Sequence, residues 1–192
     1  MYKKVEKCCI CGNKNLVEIV DLGSQFLTGV FPKVKTQEIT SGPLKLVKCF
    51  GADSCCGLVQ LQHIYNTDEM YGENYGYRSG LNKSMITHLH NKVQRIIEFC
   101  DLQKDDLIID IGSNDSTTLQ AYPPNKFHLV GVDPTGNKIL QYYPPHIQLI
   151  ADFFTYSIVD KFTNGKKAKV VTSFSMFYDL EDPAKFVREI KK

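Results

Sequence analysis

The sequence predicts an α/β chain in two parts: a small strand-rich module with clustered cysteines, then an incomplete doubly wound parallel sheet. Three observations predict it. Six of the seven cysteines, Cys8, Cys9, Cys11, Cys49, Cys55 and Cys56, fall in two tight groups near the start. Residues 1–70 carry short runs of strand character, LVEIVDLG, LKLVKC and GLVQLQHI, punctuated by Gly23, Pro32, Gly42 and Pro43. From residue 105 onward, apolar runs alternate with helix-like stretches, the pattern of a parallel sheet.

Composition narrows the class. Of 192 residues, 43% are hydrophobic and 23% charged, enough apolar surface for a core and too much for a disordered chain. A net charge of +2 excludes a strongly basic nucleic-acid binder, and no nucleic-acid partner is expected. No apolar run reaches the length of a membrane span, and the start, MYKKVEKCCICG, lacks the apolar centre of a signal peptide. A cytoplasmic location with no membrane partner is the expectation.

An odd cysteine count without a signal peptide argues against a disulfide framework and for metal. Cys8 and Cys11 form a CxxC knuckle, followed by Gly12 to relieve the turn. Zinc prefers four soft ligands in a tetrahedron, and a second pair supplies them. The chosen set is Cys8, Cys11, Cys49 and Cys56. Cys9 is the alternative to Cys8, and Cys55 to Cys56, because adjacent cysteines rarely share one zinc. The second pair is spaced more widely than a knuckle, so a longer loop must close it. A four-cysteine site leaves no open coordination position and is structural. The module has few large residues, so metal is expected to supply its missing stability.

Residues 71–104 link the two parts. The segment YGENYGYRSGLNK (71–83) gathers tyrosines and Arg78, groups that stack and hydrogen-bond, and reads equally as a connector or a ligand loop. A helix from about Ser84 to Cys100 follows, with Met85, Leu89, Val93, Ile96, Ile97 and Cys100 on one face and Asn82 or Ser84 as cap. His88 and His90 read as solvated helix-face residues, and Cys100 as a core thiol.

Residues 105–192 hold four predicted strands: LIIDI (107–111), FHLVGVD (127–133), IQLIADF (147–153) and AKVVTSF (168–174). Pro123-Pro124 and Pro144-Pro145 interrupt the stretches between them, and Asp182-Pro183 reads as the cap and first residue of a last helix. The expected strand order is 3-2-1-4, a Rossmann-like arrangement with ligands at the carboxyl ends of the strands. There Gly112 allows close backbone approach, and Ser113, Asn114 and Asp115 offer polar groups and amides at a helix start. Asp133 ends the second strand, where a carboxylate meets ribose hydroxyls, and Asp152 follows the third, near an adenine edge. Neither G-x-G-x-x-G nor a Walker A sequence is present. Acidic residues at Asp110, Asp115 and Asp133 would repel a pyrophosphate but suit a sulfonium with an amino-acid tail, which points to S-adenosylmethionine.

CxxCG, PLKLVKC, CGLVQL, YGYRS, DIGSND and GVDPT, in this order, resemble the sugar C-methyltransferases acting on nucleotide-linked keto-deoxysugars. The resemblance runs from Cys8 to about Ile190. It implies zinc on Cys8, Cys11, Cys49 and Cys56, and S-adenosylmethionine around Asp110, Gly112, Ser113, Asn114, Asp133 and Asp152. It also implies a substrate-facing loop bearing Tyr75, Tyr77 and Ser79, and a nucleotide-sugar partner. In the family, a base removes a proton beside a keto group and the resulting carbanion takes the sulfonium methyl. No residue here is assigned as that base. The family's second turn glycine is Ser116, and Tyr178 and Asp179 stand where some relatives carry a histidine. The family extends further, with more strands and a C-terminal domain, so strand four is expected to be an open edge through which the chain could self-associate.

Overall fold

The structure is a computed structural model that describes residues 2–27, 32, 34–51, 55–71 and 75–192. Its contacts divide the chain into two compact units, Met1–Gly76 with Leu180–Val187, and Tyr77–Asp179 with Arg188–Lys192.

In the first unit, β2 (Leu16–Phe26), β3 (Ser41–Cys49) and β4 (Val59–Leu61) form an antiparallel sheet, and β1 (Tyr2–Lys4) pairs antiparallel with β5 (His63–Tyr65). A short helix α1 follows at Thr67–Tyr71. Two expectations are corrected here. Gly42 and Pro43 do not end β3 but lie within it, opposite Gln25 and Ser24. Gly42 is needed there because a Cβ would lie 2.5 Å from Tyr65 Oη and 2.6 Å from the Tyr2 ring. The run GLVQLQHI is two strands rather than one. Gln62 is the junction: its N–H donates to Lys45 C=O and its C=O accepts from Val5 N–H, so the chain leaves one sheet for the other without orphaned backbone groups.

Little is buried in this unit. Among the described residues of 2–76, the buried hydrophobic side chains are Cys8, Leu27, Val47 and Cys49. Two of these four are sulfurs. The apolar content is far below what holds a domain of this size unaided.

The second unit opens with α2 (Lys83–Phe99), capped by Asn82, whose Oδ1 accepts from Ser84 N–H at 2.9 Å. Leu89 and Val93 are its buried residues, at the spacing the periodicity predicts, and His88 is exposed. Cys100 is half-buried at its end. Four parallel strands follow: β6 (Leu107–Ile111), β7 (His128–Val132), β8 (Ile147–Ile150) and β9 (Ala168–Thr172). Their order, β8-β7-β6-β9, is the expected one. Every residue of β6 is buried, as a central strand covered on both faces requires. The core gathers Val93, Ile108, Leu119, Tyr122, Phe127, Leu129 and Ile147. The connections are slight: α3 (Gly136–Ile139) and α4 (Tyr156–Phe162) are single short helices. The last helix, α5 (Pro183–Lys191), whose residues up to Val187 belong to the first unit, starts at the predicted proline with Asp182 Oδ1 accepting from Lys185 N–H.

The stretch after β6 departs from expectation. No α-helix begins at Ser113; the chain makes consecutive turns and one 3-10 turn at Leu119–Ala121. Asn114 and Ser116 have φ of +48° and +60°, left-handed values that a right-handed helix cannot contain, and Pro123-Pro124 closes the stretch before a helix can form.

Candidate functional site

The cysteine site is assembled by two glycine-assisted turns. Gly12, at φ +74°, donates its N–H to Cys8 C=O at 3.0 Å, closing the first knuckle, and Cys8 N–H donates to Asn13 C=O at 2.8 Å. On the other arm, Cys49 ends β3 and donates its N–H to Leu58 C=O at 2.8 Å, which brings Cys56 back beside it across Gly57 at φ +71°. The wide spacing between Cys49 and Cys56 is therefore spanned by the Cys49–Leu58 backbone bond.

The sulfurs of Cys8, Cys11, Cys49 and Cys56 all lie within 4.8 Å of one another. Cys8 to Cys56 is 3.4 Å and Cys11 to Cys49 is 3.5 Å. A tetrahedron with metal–sulfur bonds of about 2.3 Å places its sulfurs about 3.8 Å apart, so the donor set fits zinc. Cys55 turns away, its thiol donating to Gly51 C=O, and Cys9 holds Gln60 Oε1 through its N–H. Neither belongs to the tetrad. One supporting residue escaped the sequence reading: Asn13 Nδ2 approaches Cys49 Sγ at 3.3 Å and donates to Phe50 C=O at 2.9 Å. An amide two residues beyond a knuckle cysteine is the signal that could have found it.

The thiols' proton affinities diverge. Cys11 is pulled down to about 6 by the backbone N–H groups of Asn13 and Cys56, helped by the Cys49 and Cys8 thiols. At Cys56 the Leu58 N–H favours the thiolate, but the Cys8 and Cys11 sulfurs and desolvation outweigh it and push the thiol up to about 12. Crowded sulfurs cannot all ionise side by side without a cation, and a divalent metal removes that conflict.

In the second unit, the turn after β6 carries the other predicted residues. Gly112 has φ +72°, which favours glycine, and a Cβ there would lie 3.2 Å from Met176 Cγ, a tight contact that the Met176 side chain would have to yield to. Ser113 Oγ lies 2.7 Å from Tyr143 Oη, which also donates to Asn114 C=O at 3.0 Å. Asp133, only 6% exposed, holds the turn in place. Its Oδ2 accepts from Asn114 N–H at 2.9 Å, and its Oδ1 accepts from the N–H and hydroxyl of Thr135. Asp152 lies apart from this network, exposed, and accepts from the N–H of Phe153.

Asp110 faces inward. It is 2% exposed and accepts from Thr172 Oγ1 at 2.6 Å. Burial raises its carboxyl to about 7, against the hydroxyls of Thr172 and Thr118, which favour the charged form; the neighbouring Asp133 adds a smaller push upward. The folded state thus holds a proton that the unfolded chain gives up near pH 4. That contribution is fully present below the unfolded value and lost as pH rises through about 7. Between pH 6 and pH 8 this group alone is expected to cost about 1 kcal/mol of stability. In Asp110→Asn, which keeps an acceptor for Thr172, that slope should vanish from denaturation curves of the sheet; an unchanged slope would assign it elsewhere.

Ser116 occupies the family's glycine position without filling the turn. It is fully buried, its hydroxyl donates to Tyr142 C=O at 3.1 Å, and it accepts from Gln120 Nε2 at 2.9 Å. These bonds offset the strain of a left-handed serine, which is of order 1–2 kcal/mol.

The tyrosine-rich residues divide between the two units. Tyr75 packs edge-on against Tyr71, with ring centroids 5.4 Å apart. Tyr77 is half-exposed, and Ser79 donates its N–H to Asn114 Oδ1 at 2.9 Å. Tyr178 is exposed, and Asp179 closes a 3-10 turn, Phe177–Asp179.

The described residues thus hold a four-thiol cluster of zinc dimensions in one unit and, in the other, a parallel sheet with a glycine turn at the end of an inner strand. Comparison with known proteins adds two similarities. Residues 8–71 match the family model Methyltransf_13, described as "Putative zinc binding domain". The chain is 29% identical over 142 residues to C-methyltransferase NovU of Streptomyces niveus, covering 71% of this chain and 32% of that protein. The chain is thus similar to the N-terminal part of a C-methyltransferase, and it spans about a third of the length of that curated relative. Among the described residues, no helix is long and apolar enough to cross a membrane.

Proposed function

We propose that the chain is the zinc module and cofactor half of an S-adenosylmethionine-dependent C-methyltransferase for a nucleotide-linked keto-deoxysugar. One observation carries the reading: a sulfur tetrad of zinc dimensions precedes a β8-β7-β6-β9 parallel sheet of Rossmann-like order, whose central strand ends in a glycine turn braced by Asp133. The cofactor would supply an electrophilic methyl group. Gly112 and Ser113 would approach it closely, Asp133 would face its ribose, and Asp152 its adenine. Asp110, buried behind the turn and sharing a hydrogen bond with Thr172, would act by holding the strand end rather than by touching the ligand. Zinc would hold the first unit and take no part in the chemistry. Tyr75, Tyr77 and Ser79 would face the sugar nucleotide, in a cytoplasmic protein. The free edge of β9 is where self-association through the sheet would occur.

A second reading has its own support. The Asn114 amide and both Asp133 oxygens already have partners within the protein, as in a binding module that has lost its chemistry. Calorimetric titration of the zinc-loaded chain with S-adenosylhomocysteine separates the two. Saturable binding at one site is the expected result. A folded, zinc-loaded chain that binds none would favour the module.

A further inference from the structure

The turn after β6 does more than face a ligand. Its side chains reach back and hold residues 77–80. The Asn114 amide plugs into the backbone on both sides of Arg78: Nδ2 donates to Tyr77 C=O at 2.9 Å, and Oδ1 accepts from Ser79 N–H at 2.9 Å. One residue on, Asp115 Oδ2 accepts from Gly80 N–H at 2.9 Å, while its Oδ1 takes the Thr117 hydroxyl at 2.6 Å. A Cβ on Gly80 would lie 2.8 Å from that Oδ2 and 3.1 Å from Thr117 Oγ1, so the seat admits only glycine without displacement.

Arg78 closes the arrangement. Its Nε lies 3.4 Å from Asp115 Oδ2, an ion pair rather than a hydrogen bond, against a carboxylate that is 2% exposed. Its guanidinium lies over the Tyr142 ring, 3.4 Å from the centroid. Tyr142 belongs to the loop after β7, so one side chain spans the loops of two adjacent strands. The guanidinium is stacked and ion-paired while its side chain stays 28% exposed, so both interactions are partly screened and act together to fix its place.

We propose that Arg78 is a positioning residue: by bridging Asp115 and Tyr142 it seats residues 77–80 on the turn, and so fixes where Tyr77 and Ser79 are presented. The inference rests on the reading of that segment as substrate-facing and gives it a mechanism. The segment is ordered by the cofactor turn itself, through a salt bridge and a stack rather than a hydrophobic core. It also predicts that Asn114 and Asp115 contribute to the turn chiefly by holding this segment.

Amide hydrogen exchange in the zinc-loaded full chain tests it without requiring turnover. In Arg78→Gln and in Tyr142→Leu, the Ser79 and Gly80 amides should exchange at least about tenfold faster than in the wild type, while the Ile108 and Ile109 amides of β6 keep their protection. Arg78→Lys should not restore slow exchange, because an ammonium lacks the stacking plane. Slow exchange at Ser79 and Gly80 in either of the first two variants would overturn the proposal. So would an equal loss of protection in β6, which would make Arg78 a general stabilising residue. The cofactor reading fails separately: absent binding of S-adenosylhomocysteine to the wild-type chain would remove that reading and leave the exchange result standing.

Discussion

Replacing Cys49 with serine, or stripping the metal with a chelator, is expected to unfold the first unit while the parallel sheet stays folded. The reason is the small core described above: Leu27 and Val47 are the buried hydrophobic residues of the described part of 2–76 once the two buried sulfurs are set aside. Structural zinc contributes an apparent ~10–16 kcal/mol in small peptides near neutral pH, far more than two aliphatic side chains provide. Cys49 is the most informative ligand to change, because it is wholly buried, ends β3 and is approached by the Asn13 amide. Metal content measured by atomic emission should fall from one zinc per chain to none. Exchange protection in β2, β3 and β4 should disappear, and that in β6 and β7 should remain. Cys9→Ser and Cys55→Ser should keep full zinc, since their sulfurs lie outside the tetrad. Zinc lost from either of these variants, or retained in Cys49→Ser, would mean that the ligand set is wrong.

The cysteine cluster was legible because its chemistry is encoded by residue type. Paired cysteines suggest metal binding, and the structure brings together the four sulfurs that were chosen. The spacing between Cys49 and Cys56 looked irregular only because sequence counts residues along the chain, whereas the Cys49–Leu58 backbone bond brings its two ends together. The four parallel strands and their order were legible from apolar runs. The turn after β6 was not. A glycine followed by small polar residues reads as a helix start, and nothing local says that Asn114 and Ser116 will take left-handed angles. Those angles are fixed by distant partners: Asp133 for the Asn114 N–H, Tyr142 for the Ser116 hydroxyl, and the backbone of residues 77 and 79 for the Asn114 amide. Gly42 misled for the same reason. It looked like punctuation, and it is a space left for the Tyr2 and Tyr65 rings.

Asp133 shows how this changes an expectation. From sequence alone, Asp133→Ala should weaken cofactor binding with little loss of fold. The geometry predicts the loss of both. The carboxylate receives three donors, the N–H of Asn114 and the N–H and hydroxyl of Thr135, in a site that is 6% exposed. Hydrogen bonds to a charged acceptor contribute about 1.5–3 kcal/mol each, and donors left buried without partners add their own cost. Alanine is therefore expected to destabilise the second unit by at least about 4 kcal/mol, read as a lower denaturation midpoint of the sheet at constant slope. Asparagine is only partly conservative, since its amide NH2 would face a donor on one side. Thr135→Val separates the two roles: it removes one hydroxyl and leaves the contact with Asn114, so it should cost about 1 kcal/mol and retain S-adenosylhomocysteine binding. An Asp133→Ala chain of wild-type stability that merely fails to bind would show that the carboxylate is held for the ligand and not for the turn. One that is destabilised yet binds normally would move the ribose contact elsewhere on the strand ends.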